Sequence, residues 1–574
     1  MKRFRQQAES EFGSRRLVVL GLFLAGMTLL AARAVELQIF QHDILRERGV
    51  ARQTRIITIP AHRGAIVDRN GEPLAVSTPV DSIWIDPRHL DADSDRVALM
   101  NRMLGLRKHA IRDLAQANPS KSFVYVKRHL APEKVEAIKK LKIEGVGVQR
   151  EYRRYYPMGE AFGHVLGFTN IDDKGQEGLE LAYEDWLRGE PGAERVIREG
   201  SGGVIDVVER VKAARPGRDL RLSLDARIQY LAYRELKAAV EANKAKSGSV
   251  VVLDPNTGEV LAMVNQPYFN PNDRSHLNGA FYRNRAVTDL FEPGSTSKPF
   301  TIAAALESGT FQPDSIIDTS PGHYSVGGYP IRDRRNLGHI DLGTIISLSS
   351  NVGVSKVALQ VPRETLWNTY RQFGFGQDSG SGFPGESHGV FRDYTRWYPL
   401  DQATLSFGYG ISVTALQLAR AYSVFAADGI IHQISFIADP EHLDAHQAIS
   451  AETARTVRGM LLKVVQPKGT GYRAAVEGYQ VAGKTGTARK AVKGGYSRDR
   501  YTAVFAGMAP ATAPELVIVV VINEPSAGEY YGGVVAAPVF SRIMAGALRQ
   551  LNVAPDGLPA RRKMADAKPQ GGAV

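Results

Sequence analysis

Three short segments of this 574-residue sequence carry side chains suited to covalent chemistry. The first is Ser295-Thr-Ser-Lys298, inside FEPGSTSKPF. Pro293-Gly294 interrupts the chain before it, Pro299 suits a first helical turn, and PFTIAAALESG continues as an amphipathic helix. Ser295 is therefore expected at a helix N-terminus with its own N–H free, and Lys298 three residues on over the same face. A serine hydroxyl is a poor nucleophile until a base takes its proton. Lysine is such a base only when burial or a second cation lowers its pKa. Alone, S-x-x-K more often marks a capping serine followed by a surface lysine. The second segment is Ser349-Ser-Asn351. Its hydroxyl can relay a proton to a leaving amine, and its amide both donates and accepts. Alone it reads as a helix cap.

The third segment, GYQVAGKTGT from Gly478 to Thr487, has two readings. G-x-x-x-x-G-K-T fits a phosphate loop, which needs a buried strand before it and a helix starting at its lysine. TGYRAAVE, just upstream, is no buried strand, and Gly486 with the later KGG disfavours a helix. Only Glu524, ending LVIVVVINE, offers a metal-holding acid for that reading. As a strand, Lys484-Thr-Gly-Thr487 makes better sense. Lys484 brings positive charge, Thr487 offers a hydroxyl to a carboxylate, and Gly486 admits a substrate backbone closely, so that a bound peptide extends the sheet edge. A further spacing, His442 and His446 with Asp444 in EHLDAH, mimics a metal site. No third histidine is near, and the segment reads as a solvated loop.

Elements must bring these segments together. DLRLSL (219–224) alternates like a strand, and Asp225 can cap a helix through ARIQYLAYRELKAAVEANKA. SVVVLDPNTGEVLAMVN (249–265) reads as two strands around a turn, and TAVFAGMAP (502–510) with ELVIVVVIN (515–523) as another pair. AAPVFSRIMAGALRQL (536–551) closes the pattern as a helix. Strands at both ends with helices between predict an α+β domain with a mostly antiparallel sheet. Upstream, Asn70-Gly71 in RGAIVDRNGEPLA signals a two-residue hairpin. Residues 90–150 read as helical stretches and short loops, with a helix over 131–141. Residues 150–215 hold no catalytic constellation and read as a spacer or docking module.

Composition sets the outer limits. Apolar residues are 43% and charged residues 23%, enough for cores in two or three domains. The basic residues behind the net charge of +12 are dispersed apart from the two termini, and no aromatic-basic nucleic-acid motif accompanies them. Cysteine is absent, which excludes disulfides, thiolate nucleophiles and cysteine metal sites. LVVLGLFLAGMTLLAA (17–32) is uncharged and slightly short of the ~20 residues of a membrane crossing, and Arg33 snorkelling to the interface extends the span toward Phe40. Basic residues flank it on both sides. An uncleaved anchor is the leading reading and a cleaved signal, with Ala32-Arg-Ala34 as the site, the second. Both export the chain beyond Phe40 to a compartment where no nucleotide pool is expected.

In their order and wide gaps, the three motifs together resemble the penicillin-binding protein and serine β-lactamase superfamily. RGAIVDRNG (63–71), GQEGLE (175–180), FEPGSTSKP (291–299), SFGYG (406–410), KGTGYRAA (468–475) and the single anchor make the chain similar to class B penicillin-binding proteins of the division type, also called penicillin-binding protein 3. Ser297 departs from the small apolar residue expected there. The resemblance implies a fold: a transpeptidase domain with an antiparallel sheet flanked by helices, behind an elongated mixed α/β pedestal and one transmembrane helix. The expected boundaries are a cytoplasmic tail to 16, the anchor 17–40, a pedestal or dimerisation-type module 41–217, the transpeptidase domain 218–553 and a disordered tail 554–574. The resemblance also implies roles. Ser295 is acylated by a stem peptide ending in D-Ala-D-Ala, with Lys298 as base. Ser349 passes protons, and Asn351 and Lys484 order the network. Thr485 and Thr487 hold the carboxylate, and the N–H groups of Ser295 and Thr487 form the oxyanion hole. Tyr409, Arg489, Tyr530 and Tyr531 are expected to line the cleft. No metal or other cofactor is called for. The implied partners are peptidoglycan stem peptides, β-lactams, a membrane-embedded glycosyltransferase and other division proteins, at the bacterial inner membrane with the catalytic domain in the periplasm. Two other functions compete: a serine D,D-carboxypeptidase or β-lactamase-like hydrolase, and a non-catalytic division scaffold.

Overall fold

The computed structural model describes residues 2–43, 54–198, 204–273, 279–440 and 443–557. The expected tail from 558 onward and His442 lie outside the described residues. Helix α1 (Lys2–Val35) continues as a π-turn, Glu36–Phe40. The stretch Arg15–Phe40 is long and apolar enough to cross a membrane, and its large apolar side chains are exposed. Arg33 does not stand alone: its guanidinium lies 2.6 Å from the Glu36 carboxylate, one turn on.

The described chain forms two compact units. The first takes residues 1–62, 79–153 and 189–216. Its small core joins Ile83 and Ile85 to Val97, Met100, Ile111, Val135 and Ile138. Strand Val124–Leu130 pairs antiparallel with residues 81–85, and Thr54–Ile59, Gly192–Arg198 and Val204–Lys212 form a separate antiparallel sheet. Residues 90–150 thus hold two strands, Val124–Leu130 and the start of Val146–Tyr155, besides the expected helices. Their apolar residues are mostly half-buried, so the alternation that marks a strand is muted.

The second unit takes residues 63–78, 154–188 and 217–574. Helix α2 (Ala226–Ala242) starts where expected, with the Asp225 carboxylate accepting from the Arg227 and Ile228 amides. Strands β1 (Ser247–Leu253) and β2 (Val260–Gln266) follow, and β3 (Ala482–Val492), β4 (Gly495–Ala509) and β5 (Leu516–Asn523) complete an antiparallel sheet in the order β2-β1-β5-β4-β3. Every residue of β1 and β2 is buried, so both faces are covered; α2 and the C-terminal helix Ala537–Gln550 are among the elements that pack on it. The sheet leaves β3, which carries Lys484-Thr-Gly-Thr487, as an edge. Lys484 therefore sits mid-strand and opens no helix, which disposes of the phosphate-loop geometry.

Three local expectations need correction. The hairpin at Asn70-Gly71 is real, with Ile66 opposite Ala75, but its loop is longer than two residues. The Asp68 carboxylate accepts from the amides of Asn70 at 2.7 Å and Glu72 at 2.8 Å, and the loop wraps around it. The helix after Lys298 is not amphipathic. All residues from Lys298 to Ala305 are buried, because this helix runs through the middle of the domain. Near EHLDAH, His446 lies in a short strand, Ala445–Gln447, rather than a loop. No group of potential ligands there or elsewhere among the described residues is arranged for a metal ion.

Candidate active site

Ser295 does not begin a regular α-helix. Gly294–Ser297 form a 3-10 turn, and helix α3 (Lys298–Glu307) follows, with Pro299 in its first turn as expected. A 3-10 turn eclipses side chains at i and i+3, which aligns Ser295 with Lys298 more directly than an α-helix would. The turn is held from below. Tyr422 donates its hydroxyl hydrogen to the Thr296 carbonyl at 2.8 Å, and Tyr370 to that of Ser297 at 3.2 Å. Both tyrosines are fully buried and pack edge-on against Phe300. Burial pushes both phenols above their ordinary pKa, keeping them donors.

Helices α4 (Leu342–Leu348) and α5 (Asn351–Gln360) meet at the second motif. Ser350, not Ser349, is the cap: its Oγ accepts from the Gly353 amide at 2.8 Å. Ser349 is left in the left-handed region, φ 61° and ψ 43°, a conformation that costs a non-glycine residue about 1–2 kcal/mol. Asp333 secures this junction. Its carboxylate accepts from the Ser350 hydroxyl and the Asn351 amide, both at 2.5 Å, and from the Val352 amide at 3.1 Å.

Strand β3 brings the third motif against the first. A Cβ on Gly486 would stand 2.8 Å from the Pro293 carbonyl oxygen and 3.0 Å from the Thr296 methyl. The space at Gly486 is thus taken by the turn that carries Ser295 rather than by a substrate backbone. Gly408 of SFGYG does the same from the other side, since a Cβ there would meet Gly294 atoms at 2.1–2.6 Å. Gly532, which sequence reasoning missed, lies against the Gly486 carbonyl and donates its N–H to Thr487 Oγ1 at 3.0 Å. Thr485 Oγ1 donates to Thr470 Oγ1 at 3.1 Å, which gives KGTGYRAA a place in the site.

The reactive groups converge on Lys298 Nζ. It lies 3.1 Å from Ser295 Oγ, 3.0 Å from Ser349 Oγ, 2.6 Å from the Ser349 carbonyl and 2.7 Å from Asn351 Oδ1. The last two oxygens only accept, so they take both hydrogens of a neutral amine. The remaining lone pair then serves the hydroxyls. Lys298 is fully buried. Desolvation, helped by the Lys484 and Arg334 charges and opposed by Asp333, holds its pKa well below that of a free lysine. Burial dominates, so the second cation is an auxiliary. Lys484, also fully buried, is pulled by desolvation to about 7. Its Nζ donates to Ser349 Oγ at 3.1 Å and to the Thr485 carbonyl at 3.1 Å. Ser349 Oγ thereby accepts from Lys484 and keeps its own hydrogen for another acceptor.

These groups open on a cavity of about 690 Å³ whose lining includes Ser295, Ser349, Asn351, Thr485 and Thr487. Tyr409, Arg489, Tyr530 and Tyr531 line it too. Sequence reasoning did not find Tyr501, stacked on Tyr530 at 4.0 Å between ring centres, or Arg334, over Tyr531 at 4.4 Å. Ser297 Oγ is buried without a hydrogen-bond partner among the described residues. A small apolar side chain would fit that spot better.

A serine hydroxyl beside a desolvated lysine, at the edge of a five-stranded antiparallel sheet, is the arrangement a serine acyl-transfer enzyme needs. Residues 248–545 match the family model described as the penicillin binding protein transpeptidase domain, and residues 58–222 the penicillin-binding protein dimerisation domain. The chain is 43% identical over 543 residues to the probable peptidoglycan D,D-transpeptidase PenA of Neisseria meningitidis, covering 94% of this chain and 92% of the relative. It is 42% identical over 560 residues to the peptidoglycan D,D-transpeptidase FtsI of Escherichia coli K12, covering 96% and 95%. Among solved structures, it is similar to the transpeptidase domain of penicillin-binding protein 3 from Burkholderia pseudomallei, with a TM-score of 0.55, 43% identity and coverage of 59% and 98%. Penicillin-binding protein 3 of Mycobacterium tuberculosis in complex with aztreonam matches with a TM-score of 0.67, 30% identity and coverage of 87% and 98%. The chain belongs to the penicillin-binding protein transpeptidase family.

Proposed function

We propose that the protein is a division-type peptidoglycan D,D-transpeptidase that works through an acyl-Ser295 intermediate and is a target of β-lactams. One observation carries this reading: Lys298 Nζ, stripped of solvent, stands within 3.1 Å of Ser295 Oγ while its hydrogens face the Ser349 carbonyl and Asn351 Oδ1. The neutral amine takes the Ser295 proton as Oγ attacks the penultimate D-Ala carbonyl of the donor. The tetrahedral oxyanion is received by the N–H groups of Ser295 and Thr487. Ser349, polarised by Lys484, delivers a proton to the departing D-Ala nitrogen as the C–N bond breaks. The donor's terminal carboxylate rests on Thr485 and Thr487 with the Lys484 charge behind them. An acceptor amine then attacks the ester, the C–O bond breaks, and Ser295 recovers its proton through the same relay.

Family likeness supports the rest. Residues 41–217 serve as pedestal or dimerisation-type module and 218–553 as the transpeptidase domain. The helix to Phe40 anchors the chain in the inner membrane with the catalytic domain in the periplasm. A membrane-embedded glycosyltransferase and other division proteins supply glycan strands and timing. The test is to give the purified full chain a donor ending in D-Ala-D-Ala together with an acceptor stem peptide. Released D-Ala matched by cross-linked dimer is expected. Release matched only by trimmed monomer would favour the carboxypeptidase, and no release by protein that binds penicillin would contradict the donor assignment.

A further inference from the structure

A second cavity, of about 170 Å³, lies against the C-terminal half of β3. Its floor is one face of the sheet. Ser247 and Ser249 of β1 stand opposite Asn523 and Val521 of β5, Thr502 of β4 stands opposite Asn523, and Ala488 of β3 opposite Thr502. Directly paired residues share a face, and most of these side chains are short. The roof is Leu290-Phe291-Glu292 with Ser412 and Ala415. It is pinned and cannot sink to fill the space. Phe291 and Val413 exchange backbone hydrogen bonds, both at 3.0 Å. Glu292 Oε1 accepts from the Gly410 amide at 2.8 Å and from the Tyr496 hydroxyl at 2.9 Å. Arg489 is the one residue this lining shares with the Ser295 cleft.

The charged groups of the lining are not all satisfied. Lys490 lies 2.7 Å from Glu524, and Asp289 lies 3.0 Å from Arg283 and 3.8 Å from Arg285. Glu292 differs. Its Oε2 is buried without a hydrogen-bond partner, and no cation pairs with the carboxylate, among the described residues. An unpaired buried acceptor is costly, and a ligand N–H removes that cost. Arg489 is exposed and has no carboxylate within ion-pair distance among the described residues. The groups left open are therefore one acceptor and one donor of opposite charge. An anion is repelled by Glu292, and a cation by Arg489 and Arg285. A neutral amide donates to the first and accepts from the second. Leu290, Phe291, Ala415, Ala488 and Val521 supply apolar lining for the rest of a ligand. A cavity of about 150 Å³ holds one benzene ring. We propose that this cavity is a second ligand site, taking a small molecule with one apolar ring and a neutral amide head whose N–H is accepted by Glu292. The site makes no use of Ser295, so it goes beyond the transpeptidase reading and does not depend on it.

The test follows the fluorine NMR signals of para-fluorobenzamide and its isostere para-fluorobenzoate over the full chain in detergent, against a detergent blank. The amide should bind saturably with a dissociation constant of about a millimolar, as suits so few atoms. It should bind at least about fivefold more tightly than the carboxylate, which cannot donate to Glu292. The same values are expected after Ser295 has been acylated with benzylpenicillin. In Glu292→Gln the new amide donates as readily as it accepts, so the preference should fall to within about twofold. Ala415→Leu fills part of the cavity and should weaken the amide at least about fivefold, with penicillin labelling as the check on its fold. If that variant does not label, Glu292→Gln alone decides. No saturable binding at millimolar probe, or a preference unchanged in Glu292→Gln, overturns the inference. Binding lost on acylation places the probe in the Ser295 cleft and also overturns it. Protein that binds the amide but takes no penicillin contradicts the transpeptidase reading alone.

Discussion

At the scale of single residues, the proposed mechanism gives two buried amines different tasks. Lys298 must be neutral to act as base, and its depressed pKa means that the active form appears as pH rises through a value well below 10.5. Lys484 must be charged to polarise Ser349 and hold a carboxylate, and it loses that charge through about 7. The second-order rate of penicillin acylation should therefore be bell-shaped in pH, rising as Lys298 loses its proton and falling as Lys484 loses its own. Lys484→Arg should move the declining limb upward, because a guanidinium keeps its proton; an unmoved limb would detach it from Lys484. Ser297 gives a prediction of opposite character. Its hydroxyl is buried and unpartnered, so Ser297→Ala should raise stability by about 1 kcal/mol in thermal denaturation and leave penicillin acylation within about twofold. A loss of stability would show that the hydroxyl has a partner. The residue types and spacing of the three motifs were legible in the sequence, and the structure brings Ser295, Lys298, Ser349, Asn351 and Lys484 within hydrogen-bond reach of one another. Sequence reasoning could not see Asp333, because an acid that caps a distant helix looks like any loop aspartate.

At the scale of elements, the site is a junction of ends: a 3-10 turn before α3, the α4–α5 break and an edge strand. Each end exposes groups that a continuous element would consume. The glycines explain how three ends come so close. Gly408, Gly486 and Gly532 each remove a Cβ that would clash with a neighbouring backbone. The S-x-N break depends on Asp333. Asp333→Ala should release the α5 N-terminus and let Ser349 leave its left-handed conformation. We expect a loss of about 1–2 kcal/mol in stability and an acylation rate down at least about tenfold, from paired melting and penicillin-labelling time courses. Unchanged labelling would mean that Ser349 holds its place by other contacts. The sheet strands and helix α2 were legible because apolar periodicity and a capping aspartate agree there. The strands of the first unit were not, because half-buried residues blur the alternation.

At the scale of the whole molecule, two sequence stretches far from the reactive residues are joined by charge. Glu180 of GQEGLE is fully buried. It accepts from Arg63 of RGAIVDRNG at 2.8 Å and from Arg154 at 2.6 Å, while Arg63 also reaches Glu184 at 2.6 Å. Arg154 Nη1 donates to the Gly64 carbonyl at 2.8 Å. Composition alone left residues 150–215 a spacer, since pairing between such distant residues has no local periodicity to announce it. Glu180→Gln keeps the volume, strands the buried Arg154 guanidinium without its carboxylate and leaves Arg63 with Glu184 alone. It should cost roughly 3–5 kcal/mol in a denaturant titration. A cost below about 1 kcal/mol would show that water reaches the cluster.

The central claim is that one desolvated amine arms one hydroxyl, Ser295. Penicillin labelling of the wild type, followed by proteolysis and mass mapping of the adduct, tests it most directly. The account predicts a single penicilloyl group on the peptide containing Ser295, and no adduct in Ser295→Ala. An adduct on any other peptide, or equal labelling of the two proteins, would contradict it.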